Sequence, residues 1–382
     1  MAPYRRFTKF LFVAFNSAVA IIYLLACLGP HLNPKKWWPI SLLGLGFVFI
    51  VVTLIAFILF WLIFRPRFMF ISLVALAIGY KSLAVFFGIH LSEKFDYTKP
   101  THSLRVAHWN VARFVEWKRN NNKGSQTRLK MMDQIKEQDA DVLCFQEFFT
   151  STDSQYYNNL RFIKDELGYP YYYFSADNDG YLQWYGQAIF SRYPLINTGL
   201  IRFPKPSLPE ALIHADIALN GDTIRIYTTH LQSVQFQKHD FETIDNLKNK
   251  NEIEVKASRG IFSKLKRGVI NRAGQANLVR DEITKSPYPF VLTGDFNDVP
   301  NSYTYFTIKD DDLQDAFLMT GFGVGRTYYN IAPALRIDFM LTTKDFDIKQ
   351  FNRITKNYSD HYMLVADVQL KKSPASRAAS KK

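Results

Sequence analysis

The chain is poor in the residues that make several classes of function easy to recognise. It has two cysteines in 382 residues, Cys27 and Cys144, too few for a disulfide framework and uninformative about redox compartment. No Cys or His pairs occur at zinc spacing, so a metal held here must rely on oxygen ligands, with nitrogen in support. The body of the chain also lacks net charge. Residues 101–370 carry 32 Lys+Arg against 32 Asp+Glu, and the formal +13 comes from residues 1–100, with 10 against 2, and from the tail that starts at Lys371, with 5 against 0. A neutral body has no bulk excess with which to release counterions from a nucleic-acid backbone, although a local basic groove remains open to it. The tail, KKSPASRAASKK, reads as solvated and disordered, with attraction to anionic lipid as its sharper alternative.

Long apolar runs, by contrast, are concentrated at the N-terminus. Residues 7–28, 37–64 and 68–91 each approach or exceed the ~20 residues that cross a bilayer. They predict a membrane anchor over residues 1–91. A cleaved signal peptide would account for the first run, since Arg5, Arg6 and Lys9 precede or open it, but not for the two that follow. Lys81 lies near the middle of the third run, where a charge must snorkel, pair or face protein. With three spans, the basic N-terminus and the Arg65-Pro66-Arg67 turn would be cytoplasmic and the C-terminal domain would face outward.

Beyond a polar linker at 92–102, strand-like apolar runs alternate with helical patterns, which predicts a layered α/β domain over 103–370. Strands are expected at 104–111, 142–145, 171–175, 188–191, 212–219, 224–229, 290–293, 337–341 and 363–370, and a helix near 128–137. Nearly ten strands suit one domain built on two packed sheets. The stretch 235–268 breaks this rhythm as an insertion that is first polar, then basic and amphipathic. Ile261, Phe262, Leu265 and Val269 fall at helical spacing among Arg259, Lys264, Lys266 and Arg267. Two readings remain open: a surface helix whose stripe packs on the domain, and a lid or membrane-surface helix.

The chemistry-bearing residues end apolar strands: Asn110 after RVAHW, Glu147 after DVLCFQ, His230 after IYTT, Asp295 and Asn297 in GDFND, Asp338 in LRIDFM, and Asp360-His361 in YSDHYML. Singly, such residues cap helices, make turns or satisfy a core. Together they contain what metal-assisted phosphoester hydrolysis needs, namely oxygen ligands for a hard cation, a base with a pKa near neutrality and a carboxylate to orient that base. Asp338 and His361 could supply the last two.

The order WNV, QE, SRYP, THL, GDFND, RIDF and SDH resembles the endonuclease/exonuclease/phosphatase superfamily, with its DNase I-like fold, over about residues 103–370. The resemblance implies a four-layer α/β/β/α sandwich, here preceded by transmembrane helices, and a site using Mg²⁺ or Mn²⁺. Carried over residue by residue, it implies Glu147 as the principal metal ligand, with Asn110 and Asp360 contributing. It implies His361 as base or transition-state partner oriented by Asp338, Asp295 and Asn297 positioning water and a phosphoryl oxygen, and His230 donating to the phosphate. Whether His361 or Asp295 takes the proton stays open. Gly186 and Arg192, in YGQAIFSRYP, resemble a structural element of the family and are expected to pack.

Two departures narrow the substrate. Val111-Ala112-Arg113-Phe114 stands where abasic-site endonucleases carry a Gly-Leu-Arg-type segment, and Leu335-Arg336-Ile337-Asp338 lacks the Cys of the inositol polyphosphate 5-phosphatase element. The expectation is therefore a membrane-anchored, metal-dependent phosphoesterase of a bacterial inner membrane with an extracytoplasmic catalytic domain. It acts by in-line water attack on a phosphoester of nucleic acid or of a lipid head group. Its expected partners are that substrate and the lipid bilayer, and no protein partner is inferable. The alternatives are a sphingomyelinase-like head-group phosphodiesterase and a catalytically silent membrane-tethered binding module.

Overall fold

The computed structural model describes residues 3–90, 94–119, 126–204, 210–219, 221–249, 255–332 and 334–371; the expected tail beyond Lys371 lies outside these. Contacts divide the chain into two units. One comprises Met1–Phe87, Ser233–Asn277 and Asp298–Ile308, and the other Gly88–Gln232, Leu278–Asn297 and Lys309–Lys382.

The first unit is helical. Its opening helix is Pro3–Leu28, followed by Pro34–Leu43, a short 3-10 turn and Phe47–Phe64. Asn33 caps the second helix by accepting from Lys35 N at 2.9 Å, with Pro34 in the first turn, where its missing N–H goes unnoticed. Two stretches, Arg6–His31 and Pro34–Phe64, are long and apolar enough to cross a membrane. The third apolar run is not one helix over 68–91 as its hydropathy suggests. It forms Met69–Ile78 and Tyr80–Ala84, broken where Gly79 leaves helical geometry and its carbonyl accepts the Tyr23 hydroxyl at 3.0 Å. Lys81 therefore sits in a final short helix rather than mid-span, which removes the burden of a central charge. The run lies alongside the first helix in the same direction, since Ser72 donates to buried Asn16 at 2.7 Å and Tyr23 meets Gly79.

The remaining segments of this unit pack at one end of the helices. Asn301 Nδ2 donates to Ala26 O at 3.0 Å, Phe306 meets His31 edge-on at 5.5 Å, and Arg272 pairs with Asp298 at 3.2 Å. Residues 235–268, read from sequence as an insertion, contribute the helix Lys238–Asn249 and the first half of the long helix Val255–Ile283. Within that helix Ile261 and Val269 are buried, while Phe262 is 58% exposed.

The second unit is a sandwich of mixed sheets. One runs, edge to edge, through Phe346–Ile354, Met363–Leu370, Leu104–Asn110, Val142–Ser151, Gln183–Ser191 and Tyr171–Phe174, with Asp177–Gly180 also on Gln183–Ser191. The other orders Leu313–Asp315, Asp338–Thr343, Phe290–Asp295, Asp222–His230, Ala211–Leu219 and Leu195–Arg202. Val106, Cys144, Ile189, Ile213, Ile226, Val291 and Met340 fill the space between the sheets. Helix Gln126–Glu137 covers the outer face of the first sheet through Met131, Met132 and Ile135. Buried Val279 and Ile283, beside Glu282, which acts on Tyr227 and His214, bring the last turns of the long helix over the other.

Central strands are the ones the sequence announces. Leu104–Asn110 is buried throughout because it lies between parallel Val142–Ser151 and antiparallel Met363–Leu370. Two further strands, Leu195–Arg202 and Phe346–Ile354, are sheet edges, largely part-exposed and interrupted by polar residues, so no long apolar run marks them.

Candidate active site

Register brings the site together before any side-chain contact is considered. In one sheet His230, Asp295 and Asp338 are direct cross-strand neighbours, the first pairing parallel and the second antiparallel. All three are thus held level on adjacent strand ends. Gly294 makes this possible, since a Cβ there would meet Thr229 of the neighbouring strand at 2.6 Å. In the other sheet Asn110 pairs with Gln146, which leaves Glu147 just beyond it.

Glu147 is aimed by a β-bulge. The pairing of Val142–Ser151 with Gln183–Ser191 shifts between Phe145 and Phe148, and Glu147 takes up φ +50°, a left-handed conformation rare for a glutamate. Gly186, opposite Phe148 at φ +150°, backs the bulge, where any Cβ would collide with Ser175 Oγ at 2.0 Å. Gly186 thus packs. Arg192 does too, pairing with Asp139 and lying 5.1 Å from the Tyr169 ring.

The side chains then converge on Asp295. Its Oδ2 accepts from Asn110 Nδ2 at 3.0 Å and lies 3.6 Å from both His230 Nε2 and His361 Nε2, while Oδ1 accepts from the Asn297 backbone at 2.9 Å. Asn297, at φ +52°, donates its side-chain amide to Leu231 O. His230 Nε2 is buried with no hydrogen-bond partner among the described residues. Asn110 Nδ2 also approaches Glu147 Oε1 at 3.4 Å, and the Ser359 hydroxyl contacts both Asn110 O and Asp360 Oδ1. All eight residues marked in the sequence therefore gather in one place.

The acid-base side is tightly built. His361 Nδ1 donates to Asp338 Oδ2 at 2.8 Å, its carbonyl accepts from Trp109 Nε1, and the Tyr328 ring packs against its ring at 4.9 Å, tilted by 58°. Burial opposes charge on both members of the pair. The neighbouring Asp338, Asp295 and Asp360 charges nevertheless raise the His361 pKa well above the ordinary histidine value. Against the same burial, the His361 charge and the bonds from His108 and His361 hold Asp338 below the usual carboxylate range. Asp295 moves the other way: burial, then the Asp338 charge, raises it above the usual value despite His361.

One participant escaped the sequence reading. His108 Nε2 reaches Asp338 Oδ1 at 3.1 Å from a fully buried position. An ionised carboxylate only accepts, so this nitrogen carries the proton. The available signal was period two, for His108 and Asn110 share a strand face in RVAHWN.

Asp295, Asp338 and His361 offer ligand atoms within 4.8 Å of one another. Both Asp338 oxygens are already engaged by histidines, so this trio is better suited to moving protons than to holding an ion. Asn110, Glu147 and Asp360 present the oxygen donors that a hard divalent cation takes, the two carboxylates only half buried.

Residues 107–361 match the Endonuclease/Exonuclease/phosphatase family. The chain belongs to that family. Residues 8–86 match a domain of unknown function (DUF8431). No functionally curated protein matches the chain. The solved endonuclease/exonuclease/phosphatase from Beutenbergia cavernae is similar at 19% identity, covering 72% of this chain and 73% of its own, with a TM-score of 0.51. D. rerio TDP2 in complex with a single-strand DNA product is similar at 15% identity, over 70% of this chain and 99% of its own, with a TM-score of 0.50. The human Nocturnin catalytic domain with bound sulfate shares 18% identity over 70% and 94% of the two chains, with a TM-score of 0.49. At these identities the first two likenesses establish the fold alone. Members of this family are phosphoester hydrolases and are generally dependent on divalent metal.

Proposed function

We propose that the protein is a membrane-anchored phosphoester hydrolase that uses Mg²⁺, or Mn²⁺ in its place, and cleaves by in-line attack of water. The observation that carries this reading is the convergence of Asn110, His230 and His361 on one oxygen of Asp295. Glu147, Asn110 and Asp360 would hold the cation, which when bound would neutralise charge on the phosphoryl group. Asp295, its pKa raised by burial above the usual carboxylate value, accepts the proton of the attacking water, with its carboxylate fixed by the Asn297 backbone. His361, kept cationic by Asp338, and His230, with its unpartnered Nε2, donate to the phosphoryl oxygens as negative charge grows.

Anchoring is supported by the two long apolar helices and by a third run parallel to the first, which would leave the catalytic domain opposite the basic N-terminus. That arrangement favours an extracytoplasmic domain on a bacterial inner membrane. The substrate class is nucleic acid or a lipid head group, and the apolar helices favour the second. Full-length protein in detergent, assayed with and without divalent metal on single-stranded DNA, RNA, sphingomyelin and phosphoinositides, tests the reading. Metal-dependent hydrolysis of one of these, lost in Glu147→Ala and His361→Ala, is expected; activity that survives both substitutions removes the assignment.

A further inference from the structure

We infer that the outward face of the long helix, over residues 259–267, is a membrane-surface element that binds the head groups of anionic phospholipids. Residues 255–277 contain six Lys and Arg and no Asp or Glu. The inward cations are neutralised, Lys264 by Asp240 and Arg272 by Asp298. The outward ones, Arg259, Lys266 and Arg267, have no carboxylate partner among the described residues, and all are exposed. Beside them stands Phe262, 58% exposed, at the margin of the stripe that Ile261, Val269 and Ala273 bury. A helix that only covers a protein core has no use for an exposed phenylalanine beside a row of uncompensated cations. A helix lying in a bilayer interface uses both, the ring in the acyl boundary and the cations on phosphate.

The neighbouring chain supplies the second observation. Lys266 Nζ lies 4.9 Å from the Trp38 ring, and Lys35, Lys36 and Trp37, the last 50% exposed, surround the start of the apolar stretch Pro34–Phe64. Tryptophan and lysine at the end of an apolar helix are the composition of a membrane–water boundary, and cations there are drawn to anionic lipid. The basic face is therefore continuous with the boundary end of an apolar stretch rather than isolated in water. Continuity with that stretch and the exposed ring favour lipid over nucleic acid as the phosphate carrier.

The inference rests on the reading that the apolar helices span a bilayer, and the test separates the two. Full-length protein with Cys27→Ser, leaving Cys144 fully buried, receives a single environment-sensitive fluorophore at Phe262→Cys, at Ile55→Cys within the second apolar stretch, or at Tyr181→Cys, which is 81% exposed in the other unit. Each is reconstituted in phosphatidylcholine nanodiscs with or without phosphatidylglycerol, with nitroxides on lipid head groups or tails. Severalfold head-group quenching at 262 but not at 181 is expected, increased by phosphatidylglycerol, with the increase abolished by Lys266→Glu with Arg267→Glu. Tail quenching at 55 with an unquenched 262 in both lipids overturns the inference alone. No quenching at 55 removes the anchoring reading beneath it. Protection of 262 by added single-stranded DNA but not by lipid reassigns the face and equally overturns the proposal.

Discussion

The two sides of the catalytic cluster are built to different standards. Around His361 the polar groups are buried and closely held: Asp338 by two histidines, and His361 by Asp338 and Trp109, with part-buried Tyr328 against its ring. Around Glu147 the two carboxylates are half buried and loosely held, Glu147 lying 3.4 Å from buried Asn110 and the Asp360 side chain meeting the Ser359 hydroxyl. A proton-handling group must be in place before the substrate arrives, because its pKa is set by fixed neighbours. Ligands awaiting an ion can stay open, because the ion itself completes their geometry. On the proposed reading, the contrast separates a preorganised half from a half that a metal would complete.

That contrast can be broken most directly by single truncations on each side. Glu147→Ala and His361→Ala should each lower kcat by about 10³-fold, but only Glu147→Ala should also abolish the rise in melting temperature on adding Mg²⁺, measured by thermal shift in detergent. Equal loss of the metal response in both would erase the division. Asp338→Asn should cost about 10²-fold in kcat with KM little changed, as expected for a group that acts through His361.

A pH series tests the same pair without turnover. In metal-free protein Asp338, depressed, lends stability that is present above its unfolded pKa of ~3.9 and lost as pH falls below it. His361, raised, lends stability that is full below its unfolded pKa of ~6.5 and lost as pH climbs through its folded value. The excess of wild-type melting temperature over Asp338→Asn should therefore be greatest between about pH 4 and 6.5 and decline above. A flat difference across that range would deny the ion pair.

Smaller effects sharpen the edges of the comparison. His108→Ala should reduce kcat by roughly 10-fold, through a less firmly held Asp338, while His108→Gln, whose amide can still donate, recovers part of the loss. Gly186→Ala should destabilise by about 1–3 kcal/mol, read as a lower denaturant midpoint, because the backbone there is at φ +150° and faces Ser175.

Much of the fold was legible because its central strands are buried on both faces and read as continuous apolar runs, as at RVAHW and FVLTG. The edges were not, since FDIKQFNRI alternates polar and apolar residues as a half-solvated strand must. Residues ending the central strands were legible for the same reason as the strands themselves. His108 was hidden inside one of those apolar runs, where an isolated histidine looks like filling until its cross-sheet partner Asp338 is known. The break at Gly79 was equally invisible to hydropathy, for it depends on the Tyr23 hydroxyl from a helix 56 residues earlier.

The extra residue that aims Glu147 has a consequence for any attempt to shorten or graft this domain. Side chains on a strand alternate faces, and the bulge is what lets Phe145 and Phe148, three positions apart, lie in the same core cluster. Deleting one position at Gln146 or Glu147 would restore regular pairing and leave Phe148 and the residues after it against the partners they have now. Core and chemistry are separable at this point of the strand: the deletion should leave the fold in place while removing Glu147 or turning it away from the site.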